Sequence, residues 1–133
     1  MDIGGGLEFN AQGQVAAKTT VPSTKFYTCV YGTNAVSGTN AVSGSNDDVW
    51  RRRLTLSDNL GIIHVDFKWT GPSAAIGTIL TLPDDAPTPL NTLEIRLWDG
   101  TSFSISAGTR TIKGSGLNAN QRYVMDLIGF FNT

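Results

Sequence analysis

The sequence predicts an all-β domain, a single antiparallel β-sandwich or β-barrel, and three observations predict it. Apolar residues recur at every second position in several short runs, the mark of strands with one buried face. Small polar residues dominate, with 15 glycines, 16 threonines, 10 serines and 9 asparagines among 133 positions, a composition of strands and hydrogen-bonding turns. No window of about eleven residues or more carries a capped apolar stripe of helical period. At 133 residues and 14.2 kDa the chain has the length of one domain, with enough interior for a core that needs no disulfide or metal. Alternation does not separate sandwich from barrel, because both bury one face of each strand.

Residues 1–6 carry three consecutive glycines and read as a flexible lead ahead of a single β domain over 7–133. Residues 7–18 form a short hairpin turning at Gln12-Gly13. After Pro22, the run Lys25–Tyr31 is a strand of aromatic and β-branched residues. Residues 33–44 are a perfect tandem repeat, Thr-Asn-Ala-Val-Ser-Gly twice, inside a polar stretch that predicts a long surface loop at about 32–48. Two copies are too few for a solenoid, whereas lengthening a loop costs only about 0.6 kcal/mol per doubling. Strands follow at Val49–Ser57 and Gly61–Trp69. The second puts Ile63, Val65, Phe67 and Trp69 on its core face and Ile62, His64, Asp66 and Lys68 on the other. Ile76–Leu82 comes next. Thr92–Trp98 then turns Leu93, Ile95 and Leu97 inward and Glu94, Arg96 and Trp98 outward, and Asp99-Gly100 makes a tight primed turn into Thr101–Ser106. Thr109–Lys113 and Tyr123–Phe131 complete a set of nine or ten strands.

The net charge is −1 and charged residues make up 16% of the chain, below the roughly 25% of ordinary soluble domains, so nucleic acid and anionic membrane are disfavoured as partners. No run of about 18 apolar residues would insert into a membrane, and no basic-then-apolar start marks a secretory signal; synthesis in a host cytoplasm is expected. Cys29 is the only cysteine and reads as a small buried hydrophobe, since Cys-His catalysis would need His64, the only histidine, from far along the chain. There is no phosphate-binding glycine loop, nucleophile elbow or zinc spacing. The expectation is a protein that is not an enzyme and needs no metal or cofactor. Scattered aspartates leave calcium open, and Asp47, Asp48, Asp84, Asp85 and Asp99 offer carboxylates among which spacing selects no catalytic pair.

What remains is a binding surface. A sugar needs an aromatic face for its apolar side and polar groups around it for its hydroxyls. Trp98-Asp99 supplies such a pair beside the hairpin turn, with Arg96 two residues back on the same side; alternatively Trp98 packs against a neighbouring subunit or under a loop. His64 and Asp66 share the polar face of one strand, about 7 Å apart, and reach one ligand or form a solvated ion pair. Trp50 opens the run Trp50-Arg51-Arg52-Arg53, whose arginines suit a phosphate or acidic sugar, pair with Asp47 and Asp48, or blunt an edge strand.

The stretch Gly77–Pro89 with its Thr-Leu-Pro-Asp-Asp-Ala-Pro-Thr-Pro ending, the run Leu93–Thr101, the segment Phe103–Ile112 and the closing Leu117–Tyr123 resemble the C-terminal head of phage tail-fibre and baseplate receptor-binding proteins. The resemblance covers about residues 60–133. It implies a small sandwich or barrel assembled as a homotrimer at the tail tip or baseplate of a virion, beside other tail and baseplate proteins. Such a head would adsorb to bacterial cell-wall polysaccharide or a teichoic-acid-like polymer. The family carries no general catalytic motif. By residue type alone it leaves Trp98, Asp99, Arg96, His64, Asp66 and Trp50 as saccharide candidates. A structural tail component without ligand, or a carbohydrate-binding module of a cell-wall hydrolase, is the alternative.

Overall fold

The computed structural model describes residues 7–9, 15–17, 23–39 and 41–133. In chain order its elements are β1 (Leu7–Phe9), β2 (Val15–Ala17), β3 (Thr24–Thr28), β4 (Val30–Tyr31), β5 (Ala35–Ser37), the short helix α1 (Asn46–Trp50), β6 (Arg52–Ser57), β7 (Leu60–Trp69), β8 (Ala75–Thr81), β9 (Leu93–Arg96), β10 (Ser102–Ile105), β11 (Thr111–Leu117) and β12 (Arg122–Phe130). β1 and β2 pair antiparallel as the expected hairpin, whose turn at Gln12-Gly13 lies outside the described residues, as do residues 1–6. The other strands form two antiparallel sheets, β4-β8-β11-β10-β9 and β12-β7-β6-β3, the second extended by β5 on β7. Two separate sheets facing one another make the fold a sandwich, not a barrel.

Period two governs the core. Ile63, Val65, Phe67 and Trp69 of β7 and Tyr123, Met125 and Leu127 of β12 are buried from one sheet, and Phe103, Ile105, Ile112 and Leu117 from the other. Phe67 stacks on Tyr123 at 5.4 Å between ring centroids, and Phe103 meets both rings edge-on at 5.8 and 5.5 Å. This trio joins the sheets, and aromatic contacts of that geometry add roughly 0.5–1.5 kcal/mol each beyond the area they bury. The Tyr123 hydroxyl stays satisfied by accepting from the Asn118 amide at 2.9 Å. Gly77 is required beneath the Trp69 indole, where a Cβ would collide with the ring.

Four departures from the sequence expectations have physical causes. The run Lys25–Tyr31 is two strands, because the chain crosses from one sheet to the other at Cys29. Burial there pushes the Cys29 thiol up to about 12, so it is a packing residue without a thiolate. The tandem repeat is not all loop. β6 pairs with β7 only as far as Val65, and the first copy of the repeat fills the remaining edge, setting Ala35, Val36 and Ser37 against Trp69, Lys68 and Phe67. The residues after the second copy form a helix where a loop and then a strand from Val49 were expected. Ser45 caps it by accepting from the Asp48 amide, and Asp47 and Asp48 favour its positive end. Finally, the Asp99-Gly100 hairpin has a longer loop than a two-residue primed turn. Gly100 donates to the Leu97 carbonyl at 3.0 Å and Leu97 to that of Thr101 at 2.8 Å, and only Gly100 takes a positive φ, the arrangement of a three-residue loop closed by a glycine bulge.

Phe67→Ala removes the centre of the aromatic trio and is expected to destabilise the fold by about 3–5 kcal/mol, whereas Val42→Ala, on the exposed second repeat copy, stays within about 0.5 kcal/mol. Urea denaturation of the two variants against the parent measures both.

Candidate functional site

The outward positions of β7 face solvent between β6 and β12, and the register aligns Arg53, His64 and Asp126 across the three strands. His64 Nδ1 lies 2.7 Å from Asp126 Oδ1, and the Trp50 ring sits 4.2 Å from the imidazole, tilted by 41°. Nε2 of the same ring is buried without a hydrogen-bond partner. Trp50 and His64 therefore form one surface cluster with Asp126, a residue the sequence did not single out.

Asp66, expected beside His64 on an open polar face, is instead 2% exposed. Arg122 grips it with two bonds, Nε to Oδ1 at 2.9 Å and Nη2 to Oδ2 at 2.7 Å, and Arg51 closes on Oδ2 from the helix side. Arg51 also reaches Asp47 at 3.0 Å. Gly38, the last residue of the first repeat copy, leaves no room for a Cβ beside the carboxylate. Burial pushes this carboxyl up, but the hydrogen bonds and charges of Arg122 and Arg51 outweigh it and hold Asp66 below the usual carboxylate range. With both oxygens taken, Asp66 does not share a ligand with His64. The other arginines of the cluster are engaged too. Arg52 bonds Asp48 at 2.7 Å and the Cys29 carbonyl at 2.7 Å, and Arg53 lies over the Phe26 ring at 4.4 Å.

Trp98, Asp99 and Arg96 belong to the other sheet, at the edge hairpin β9–β10, so the six candidates do not converge on one site. Trp98 is 99% exposed, which removes the reading in which it packs under a loop of its own chain. Its position is fixed by the turn. Asp99 Oδ1 accepts from the Thr101 amide at 3.0 Å, and that bond, with the Thr101 hydroxyl beside it, holds the Asp99 carboxyl below its ordinary value. Arg96 keeps 70% of its side chain exposed and lies 3.9 Å from Glu94, its neighbour on the same face. The tip thus offers a bare indole flanked by an accessible guanidinium.

A third surface has no counterpart among the sequence candidates. A groove of about 650 Å³ runs between β3, the β6–β7 turn and the loop at 83–89, lined among others by Lys25, Tyr27, Asp58, Asp84, Asp85 and Arg110. Its volume falls in the range of small-molecule sites. Among the described residues, none of these charges makes an ion pair within 4 Å. Arg110 donates to the Ala86 carbonyl at 3.0 Å, while its buried Nε has no partner. An aromatic ring among donors and acceptors of both signs suits a hydroxyl-rich ligand. The only trace in the sequence is Asp84-Asp85 in a proline-bounded loop, which looks like turn chemistry; the other residues lie too far apart to signal anything. Among the described residues no three His, Cys, Asp or Glu side chains are placed to hold a metal ion, and no helix is long and apolar enough to cross a membrane.

No protein-family model, curated protein or solved structure matches the chain. The architecture defines its class as an antiparallel β-sandwich with shallow surface sites.

Asp66→Asn leaves two arginines facing a neutral amide and is expected to cost about 3–5 kcal/mol at pH 7. Because the folded carboxyl titrates below its unfolded value near 3.9, its contribution is complete above that value and is lost as pH falls through the folded value. Denaturation curves at pH 7 and between pH 4 and pH 2 should therefore show the gap between parent and variant closing on acidification.

Proposed function

We propose that the chain is an adhesion module of the phage tail-fibre or baseplate kind, recognising saccharide on a bacterial cell surface and performing no catalysis. The observation that carries this reading is Trp98, a fully exposed indole on a turn locked by Asp99 and Gly100. Leaving so large an apolar side chain in water is unfavourable by roughly 1.5–3 kcal/mol relative to burial, which a stacked sugar ring recovers. Arg96 beside it supplies donors for hydroxyl, carboxylate or phosphate oxygens, so cell-wall polysaccharide and teichoic-acid-like polymer both fit. The groove holding Tyr27, Asp84 and Asp85 extends the same chemistry to a second surface of the molecule. In this reading the protein acts at the tip of a virion, next to other tail or baseplate proteins.

A second reading, a structural tail component, draws on a different observation. The outer face of the sheet containing β7 exposes Phe26, Ile62, Ile128 and Phe130, a surface that suits an assembly contact better than a sugar.

Trp98→Ala is expected to weaken binding to a cell-wall glycan array at least about tenfold while leaving the melting temperature unchanged, since the side chain touches little of its own fold. The paired variant Asp84→Ala with Asp85→Ala tests the groove. Loss of binding in that variant alone moves the site there, and parent protein that binds no glycan favours the structural reading.

A further inference from the structure

The two outer faces of the sandwich differ in kind. One sheet shows water Glu94, Arg96, Ser102, Ser104, Lys113 and Ser115, mostly polar as expected for an antiparallel sheet with one solvated side, with Ile76 and Val30 as exposed apolar residues on its β8 and β4 strands. The other shows Phe26 from β3, Leu60 and Ile62 from β7, and Val124, Ile128 and Phe130 from β12, each between 39% and 60% exposed. Register makes this second face contiguous. Phe26, Thr55, Ile62 and Ile128 form one cross-strand row, and Leu60 pairs with Phe130 in the next outward row. Scattered apolar residues on a surface need no explanation, but a contiguous set of them marks an interaction surface.

The polar row beside these two indicates what covers it. Arg53 on β6 and Asp126 on β12 flank His64 on β7 at equal steps to either side, opposite in sign. When two such faces meet about a two-fold axis running along β7, the rotation exchanges the β6 side with the β12 side. Arg53 of each copy then faces Asp126 of the other, Ile62 faces Ile62, and Thr55 faces Ile128. The central rows are complementary to themselves, in charge through Arg53 and Asp126 and in apolar character through Ile62 and Leu60 on the axis, while Lys68 meets its own copy at the far end of β7. Arg53 lies flat on Phe26 and adds to the level surface that sheet-on-sheet packing needs. Any foreign partner would need to supply this pattern independently.

We propose that the outer face of β6, β7 and β12 packs against the same face of a second copy of this chain, in an isologous dimer whose axis follows β7, with β3 and its Phe26 flanking the overlap. Three overlapping strands spaced at about 4.8 Å and paired runs of six to nine residues at about 3.4 Å give a face of roughly 300–450 Å² before side-chain relief. That is about half of the roughly 800 Å² per partner in a standard interface, the small end where association is weak and transient.

Sedimentation equilibrium of the full chain from about 1 to 100 μM tests the proposal, with circular dichroism verifying that each variant is folded. The parent should form a dimer, and Ile128→Lys should abolish it. Arg53→Asp and Asp126→Arg should each weaken it at least about tenfold, by facing like charges across the axis, and the chain carrying both changes should return to within about threefold of the parent, because the pair is restored with its signs reversed. A parent that stays monomeric at 100 μM overturns the proposal and leaves the face to residues 1–22 of the same chain or to a different protein. A trimer, as the tail-fibre resemblance implies, overturns the two-fold geometry. So does a dimer in which the doubly changed chain is no stronger than the single variants.

Discussion

One buried carboxylate organises the half of the molecule that the sequence described least well. Asp66 sits at an outward position of a strand, where a charge would ordinarily be solvated, yet it is enclosed. Removing a carboxylate from water costs several kcal/mol, and only dense pairing offsets that. Here the pairing comes from two directions, Arg122 on the neighbouring strand and Arg51 from the end of α1, while Gly38 packs against the carboxylate where no larger residue would fit. Tyr31, on the opposite sheet, donates to the Asp66 carbonyl at 2.8 Å. Four segments distant in sequence thus converge on one residue. The short helix, the strand formed by the first repeat copy and the end of β12 are held where they are by the need to keep that charge satisfied.

The same constraint explains why two identical hexapeptides have different structures. The first copy meets an unfilled edge of β7 and a carboxylate that admits only glycine, so it becomes a strand followed at once by Gly38. The second meets neither. Its glycine takes a left-handed conformation in open space, and its amide reaches Asp48 ahead of the helix cap. Local propensity is equal for both, so tertiary context alone decides, as is common where intrinsic preferences are weak.

Alternation made the core legible. The inward face of residues 61–69 is the one their sequence predicts, because the period of a strand is a geometric property of its backbone. What alternation reports is which side a residue is on, and it is silent about what meets it there. Asp66 and His64 look equivalent in sequence, two residues apart on one face. One is enclosed by arginines 15 and 56 positions away, and the other stacks on Trp50 and pairs with Asp126, 62 positions away. Trp98 was legible for the opposite reason. Its exposure follows from a turn written in adjacent residues, with no distant contact required. The groove of Lys25, Tyr27 and Arg110 is assembled wholly from distant segments, and so lay beyond any local reading.

In the proposed reading, exposed tip and apolar face serve one purpose. A single aromatic platform with a few hydrogen bonds on an open surface would hold a sugar weakly, and a Kd of about 1 mM corresponds to only roughly 4 kcal/mol, too little to retain a particle on a cell. Deepening the site would improve affinity at the cost of accessibility to a polymer that is already packed into a wall. Presenting the shallow site in several copies on a rigid body avoids that conflict, because the second contact is made at an effective concentration set by geometry and can raise apparent affinity 10²- to 10⁴-fold with no new contact. A sandwich is well suited to this arrangement, since its two outer faces are independent. One sheet carries a bare indole on its edge hairpin, while the proposed self-association of the other would be what multiplies it.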